Sequence, residues 1–354
     1  KQSDLLGNVA NWTFIKTDKP SLDFRAEYER NSQSISIYYD HTVATYYFKS
    51  KFYFDGGYSF KEKKLVSLPK DDYLYYGCPH LDAKYYTIKR LNGYWPNIRS
   101  TRSEYSINLR QANQGYNLLD SKYKIIWSTK NAQRFHFTDR DVIWSNIRLS
   151  GIGSNDRNEI MYLLALLNSK VILSVLRTLV KLENEKDVLL PIKTIKEFVR
   201  IPKIEGDSLH WKAEIIRRTE EMLALEEKTL SDFIDFSGVL VQRFDDVQVD
   251  GNVLVLYYGN RKTQLPIKGD TRLIASTIAE QFGTEGMKLE KHETSLTELR
   301  NLPVIDFEKQ TQLKDYIDDL VFTLYFNIPL KEAGLDKSDE IKKACSKSEH
   351  YQLL

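Results

Sequence analysis

The chain has 354 residues, 42% hydrophobic and 28% charged, a balance that excludes a disordered or fibrous protein and leaves length enough for more than one hydrophobic core. A formal net charge of +2 conceals a basic stretch: between His41 and Ser150 there are 18 Lys and Arg against 9 Asp and Glu, together with 13 of the 22 tyrosines. Cations interleaved with aromatics suit a phosphate-contacting surface, because the cations release condensed counterions and the rings stack near bases; a solvated, tyrosine-rich β surface would have the same composition.

The two cysteines, Cys78 and Cys345, are far apart and fit no metal or redox spacing, so a reducing compartment and a cytoplasmic location are expected. No charged-apolar-cleavage pattern follows Lys1, so no secretory leader is expected and the chain reads as an excised piece.

Residues 1–41 read as a lead-in segment, in which "SLDFRAEYERN" has a helical pattern. From Thr42 short β-branched and aromatic runs follow, "TVATYYFKSKFYF", "KKLVSLP", "KYYTIKRL" and "KYKIIWSTK", separated by turn signals such as Asp55-Gly56-Gly57 and Asn92-Gly93. They predict a mainly antiparallel, twisted β region with long loops.

The most apolar run is "YLLALLNSKVILSVL", Tyr162 to Leu176. Asn168, Ser169 and Lys170 stand in its middle, and a lysine at mid-bilayer costs about 3 kcal/mol, so the run reads as the core helix of a soluble domain with no membrane role. Asp156 followed by Glu159 resembles a capping box, predicting a helix from there to about Leu179. Gly151 and Gly153 lack the further glycines of a phosphate-cradling loop and read as the lead-in to that helix.

Next come a short helix in "LPIKTIKEFVRIPKI" and a longer one from about Ser208 to Leu230, with Trp211, Ile215 and Met222 on one face. The "IPKI" step at Ile201 is echoed by "LPVI" at Leu302, and the second step leads into a helix from about Lys309 to Phe326. Between them, residues 231–300 read as a small α/β segment or insertion: strands in "VQVDGNVLVLYYG" with a turn at Asp250-Gly251, a strand in "TQLPIK", and a helix "TRLIASTIAEQFG" capped by Asp270 or Thr271. Residues 301–354 read as C-terminal helices and a tail, frayed from Lys337. The fold class expected is therefore α+β: a mainly antiparallel twisted β region packed on a core helix, followed by helices and a small α/β segment.

The order of these pieces resembles the TaqI-like C-terminal specificity domain, the target-recognition domain of adenine-specific DNA methyltransferases and type IIG restriction enzymes. The resemblance is carried by "YLLALLNSKVILSVL", similar to that family's leucine-rich helix, and by "IKTIKEFVRIPKI", "FDGGYSFKEKKL", "VIWSNIRLSGIG" and "YIDDLVFTLYFN". It spans roughly Thr42 to Leu225 and Leu302 to Pro329, so that residues 42–230 would form the recognition domain, whereas Asp235 to Arg300 has no counterpart. It implies double-stranded DNA as a partner and a separate methyltransferase catalytic domain or subunit. S-adenosylmethionine would be bound by that partner, with no cofactor in this chain. Asn168 and Lys170 then read as capping or snorkelling groups.

The catalytic motifs themselves are missing. An adenine methyltransferase needs an Asn/Asp-Pro-Pro-aromatic loop to hold a flipped base, and no Pro-Pro pair occurs in the chain. Asp55 with Glu62-Lys63-Lys64 carries the letters of a metal-dependent nuclease at short spacing, and reads as a charged hairpin loop. The six histidines have no ligand spacing.

What remains is readout, in which Arg and Lys address guanine and Asn and Gln address adenine. The candidates are Lys61, Lys63 and Lys64 on the first hairpin, Arg99 and Arg102 in "NIRSTRS", and Lys130, Asn131, Gln133 and Arg134 in "STKNAQRF". Lys49, Lys51 and Arg148 are candidates for phosphate contacts. The function expected is sequence-specific DNA recognition for a restriction-modification or phage-defence methyltransferase. The alternatives are a metal-dependent nuclease using Asp55 and Glu62, and a helical protein-interaction module built on the helices at Ser208 to Leu230 and Lys309 to Phe326.

Overall fold

The fold is that of a computed structural model, which describes residues 19–35, 52–55, 75–96, 121–130, 132, 134–142, 149–180, 190, 192–206, 208–282 and 294–354. In chain order the elements are α1 (Lys19–Arg30), β1 (Ser32–Ser34), β2 (Phe52–Asp55), β3 (Tyr75–His80), β4 (Arg90–Pro96), β5 (Tyr123–Ser128), β6 (His136–Thr138) and β7 (Leu149–Ser154). Helices α2 (Arg157–Asn168), α3 (Lys170–Val180) and α4 (Ile192–Phe198) follow, then β8 (Arg200–Pro202) and α5 (Ser208–Ala224). Next are β9 (Arg243–Phe244), β10 (Asp246–Asp250), β11 (Val253–Tyr258), β12 (Arg261–Pro266), α6 (Thr271–Phe282), β13 (Thr294–Ser295), α7 (Leu296–Arg300), α8 (Phe307–Phe326) and α9 (Ser338–Cys345). The class is α+β with antiparallel sheets. The chain divides into two compact units, Lys1–Glu220 with Leu313–Leu354, and Glu221–Gln312.

The first unit is built on a four-stranded antiparallel sheet in the order β2-β7-β5-β6. Ile125, in β5, faces Ile152 in β7 and Phe137 in β6. Ile125, Ile126 and Trp127 are consecutive and all fully buried, which requires cover on both faces of the strand. Helix α2 packs against β5 and β7. It begins where Asp156 accepts the Glu159 N–H at 3.2 Å, and all nine residues from Ile160 to Asn168 are buried. Each large apolar side chain among them contributes about 1.5–3 kcal/mol by leaving water. Gly151 and Gly153 lie inside β7, opposite Asp55 and Tyr53 of β2.

The single helix expected from Asp156 to Leu179 is in fact two, bent by 59°. Asn168 turns its side chain to Leu164 and to Phe135, and Ser169 leaves the helical backbone with ψ 150°. The hydroxyl of Ser169 then accepts the Ile172 N–H at 3.2 Å, and Asp318 of α8 accepts the Lys170 N–H at 3.1 Å. These bonds satisfy first-turn donors that a helix start leaves open. Among the described residues no single helix is long and apolar enough to cross a membrane.

Helix α8 anchors this unit, with every residue from Tyr316 to Phe326 buried. Asp318, 2% exposed, also pairs with Lys314 and Lys170; burial pushes its carboxyl up, against the pull of those two ammonium groups. The lead-in is part of the same core. Phe24 of α1 meets Phe326 with ring centroids 4.9 Å apart, and β1 pairs antiparallel with β8. Tyr28 and Tyr325 hold β8 from two sides, Tyr28 accepting the Arg200 N–H at 2.9 Å and Tyr325 donating to the Arg200 carbonyl at 2.5 Å.

The tail expected to fray from Lys337 is ordered instead. Ile341 and Cys345 of α9 are buried, His350 lies against Phe24 and Phe326, and the Tyr351 hydroxyl donates to Asp319 at 2.5 Å. A few apolar and aromatic groups docking on α8 outweigh the polar composition of the segment.

The second unit contains the segment 231–300. Its strands β10, β11 and β12 form an antiparallel meander, and α6 packs on β10. Val247, Leu254, Leu256 and Leu265 from the sheet join Ile274 and Ile278 from α6 in one core. Asp270 caps α6, accepting the Arg272 N–H at 2.9 Å, and the β10–β11 turn uses Gly251 at φ +58°, a left-handed conformation that glycine adopts at little cost. Helix α5 ends at Ala224, short of Leu230; the chain turns at Glu226 and Glu227, and Leu230 starts a separate 3-10 turn.

Candidate nucleic-acid interface

The sequence places its best base-reading group between β5 and β6, and both ends of that loop are fixed from below. At the β5 end, Trp127 is fully buried and its Nε1 donates to the Leu190 carbonyl at 2.7 Å. The Leu190 N–H in turn donates to the Thr129 carbonyl at 2.8 Å. At the β6 end, Phe135 is fully buried against the Trp127 ring, 5.2 Å between centroids.

Phe135 is also held by its backbone. Its N–H donates to Asn168 Oδ1 at 3.0 Å, and Asn168 Nδ2 donates back to its carbonyl at 3.0 Å. One carboxamide thus meets both polar groups of one residue, as a neighbouring strand would. The same Nδ2 donates to the Leu164 carbonyl at 3.0 Å. Asn168 is therefore neither a snorkelling group nor a simple helix cap; it joins the core helix to the loop.

Between these stems, the Ser128 hydroxyl donates to the Lys130 carbonyl at 2.6 Å, setting the backbone from which the exposed Lys130 side chain projects. Arg134 is half-buried. Its guanidinium lies over the Tyr86 ring, 3.8 Å from the centroid, and donates to the Lys84 carbonyl at 3.1 Å. Tyr86 belongs to a segment that lengthens the sheet beyond β6. The Phe137 N–H donates to the Tyr86 carbonyl at 2.7 Å, the Ile88 N–H donates to the Phe137 carbonyl at 3.0 Å, and Thr87 bridges Phe137 in parallel.

His136 lies beneath this edge, 2% exposed. Burial, and then the neighbouring charge of Arg134, depress its imidazole to about 4, against a hydrogen bond with the Tyr85 backbone and the charge of Asp82. At neutral pH the ring is uncharged and adds nothing to the charge of Arg134.

Of the sequence candidates, Lys130 and Arg134 are thus brought to one loop. Lys49, Lys51, Lys61, Lys63, Lys64, Arg99, Arg102, Asn131, Gln133 and Arg148 lie outside the described residues, as does Glu62. Sequence reasoning passed over Lys84, Tyr85, Tyr86 and Lys89, taking "KYYTIKRL" as one strand. In the fold β4 begins at Arg90, and the preceding residues pair with β6. The pair Tyr85-Tyr86 set between Lys84 and Lys89 was the available signal.

Chemically, this is an edge of positive charge and aromatic surface on a rigid stem, suited to a polyanion. Among the described residues no group of three or more His, Cys, Asp or Glu is placed to hold a metal ion. No protein-family model matches the chain, and no curated protein matches its sequence.

Proposed function

We propose that the chain recognises a specific sequence in double-stranded DNA, as the specificity part of a restriction-modification or phage-defence adenine methyltransferase. A separate catalytic domain or subunit would flip and methylate the adenine and bind S-adenosylmethionine. The observation that carries the DNA reading is the fixed loop bearing Lys130 and Arg134: both stems are tied to buried groups, and Arg134 is stacked in place on Tyr86. Direct readout demands such stiffness, because a base-contacting side chain held loosely loses its discrimination to conformational entropy. The link to adenine methylation rests on the resemblance of the leucine-rich helix and of the segments around it.

The test is binding to a randomised duplex pool across a salt series, with sequencing of the bound fraction. Steeply salt-dependent binding that enriches a short motif is expected. The Lys130→Ala/Arg134→Ala variant is expected to lose discrimination by about 1–3 kcal/mol per base contact removed. No binding at low salt, or binding with no enriched motif, would overturn sequence recognition by this chain.

A further inference from the structure

We propose that the segment from Lys84 to Lys89 grips the phosphate backbone of the bound duplex beside the β5–β6 loop; this rests on the DNA-recognition reading above and assigns to it a contact element that the sequence did not single out. The segment is held firmly enough to act as one. Asp82 starts it with a turn, its Oδ1 accepting the Lys84 N–H at 2.9 Å and its carbonyl accepting the Tyr85 N–H at 3.0 Å. Tyr86 to Ile88 then run parallel to β6. Strand alternation buries Tyr86 and Ile88 at 5% and 4% exposure, and leaves Tyr85, Thr87 and Lys89 on the other, partly exposed face.

The ammonium groups converge on that face. Lys84 Nζ stands 6.0 Å and Lys89 Nζ 5.9 Å from the centroid of the same Tyr85 ring, which places the two charges no more than about 12 Å apart. Arg134 adds a third positive charge, anchored to the Lys84 carbonyl and to the next tyrosine. Lys84 and Lys89 lie at the two ends of the segment that extends the sheet, and Arg134 lies on the neighbouring loop, a spread of charge that suits a linear polyanion better than a small anion. Like charges gathered along an edge raise the local potential, and phosphates laid against them release their own counterions. Contacts of this kind orient a duplex without reading it, which complements the loop alongside.

The discriminating measurement is the salt dependence of duplex binding by the full chain, for wild type, Lys84→Gln/Lys89→Gln and Lys84→Arg/Lys89→Arg. Loss of two phosphate contacts should reduce the slope of log affinity against log salt by about 1.8, so the affinity gap between wild type and the Gln variant is roughly tenfold wider at about 50 mM salt than at about 200 mM. The ranking of bound sequences should stay as in wild type, and the Arg variant should keep the wild-type slope. An unchanged slope in the Gln variant, while wild type binds, overturns this inference and leaves the recognition reading standing; so does an equal loss of slope in the Arg variant. Failure of wild type to bind any duplex removes both.

Discussion

The carboxamide of Asn168 gives the sharpest test of how the loop is held. Replacing it with alanine removes the donor and acceptor that meet Phe135, a residue with no exposed surface. A buried backbone group left without a partner costs about 1–3 kcal/mol, and two are stranded here. Alanine returns a few tenths of a kcal/mol in helix propensity, and the Leu164 carbonyl keeps the acceptor role that any helix carbonyl has. The net loss should be about 3 kcal/mol. Asn168→Leu, which fills the space but strands the same two groups, should lose a similar amount, separating the hydrogen bonds from the cavity. Asn168→Asp keeps an acceptor for the Phe135 N–H but turns a second oxygen on two carbonyls, which favours the protonated acid in the fold. Its penalty should therefore grow as pH rises above about 4, where the carboxyl ionises in the unfolded chain and is held protonated in the folded one.

Equilibrium urea unfolding measures the loss, and hydrogen exchange at the Phe135 amide localises it, because that N–H donates to Asn168. The variants should bring exchange at Phe135 forward while amides of the second unit, such as Leu254 to Leu256, keep their protection. Wild-type protection at Phe135 with a stability change below about 0.5 kcal/mol would refute the clamp.

Two further perturbations follow from the same core. The imidazole of His136 is depressed from 6.5 to about 4 in the fold, so between those values the unfolded chain binds more protons. The associated stability, about 3 kcal/mol, is complete above pH 6.5 and is lost as pH falls towards 4; acid unfolding of wild type and His136→Leu should show that slope in the first and not in the second. Asp318→Ala strands Lys314, whose side chain is 17% exposed, and uncaps α3; it should cost about 3–5 kcal/mol in thermal or urea unfolding, and Asp318→Asn should cost less because its amide oxygen can still accept the Lys170 N–H.

Local signals in the sequence carried much of the fold. Asp156 and Asp270 cap the helices their spacing announced, and Asp250-Gly251 makes the expected turn between β10 and β11. What failed to show were features decided at a distance. The apolar pattern runs straight through Asn168, and the break there depends on Phe135, 33 positions earlier, and on Asp318, about 150 positions later. The order of the tail depends on Phe24 and Phe326, which no window around His350 contains. In the candidate site, Lys130 and Arg134 were legible because their loop lies between two recognisable strands. The role of Tyr86 was not, because a parallel edge pairing leaves no hairpin turn to mark it.

The polar triplet in the middle of the most apolar run now has a physical account. A carboxamide buried without partners would cost the helix several kcal/mol, and α2 escapes that cost only because Asn168 has every polar atom engaged. The bonds it makes do not lengthen the helix; they end it, and they fix the residue next to Arg134. Ser169 and Lys170 then restart the chain as α3 against Asp318 on α8. A loop serving only as a solvated connection between β5 and β6 would need none of this, since its backbone could be satisfied by water. Tying it to the core on both sides holds the backbone at Thr129 and at Phe135 before any ligand arrives, and under the proposed reading that prior loss of freedom is what base discrimination by Lys130 and Arg134 would draw on.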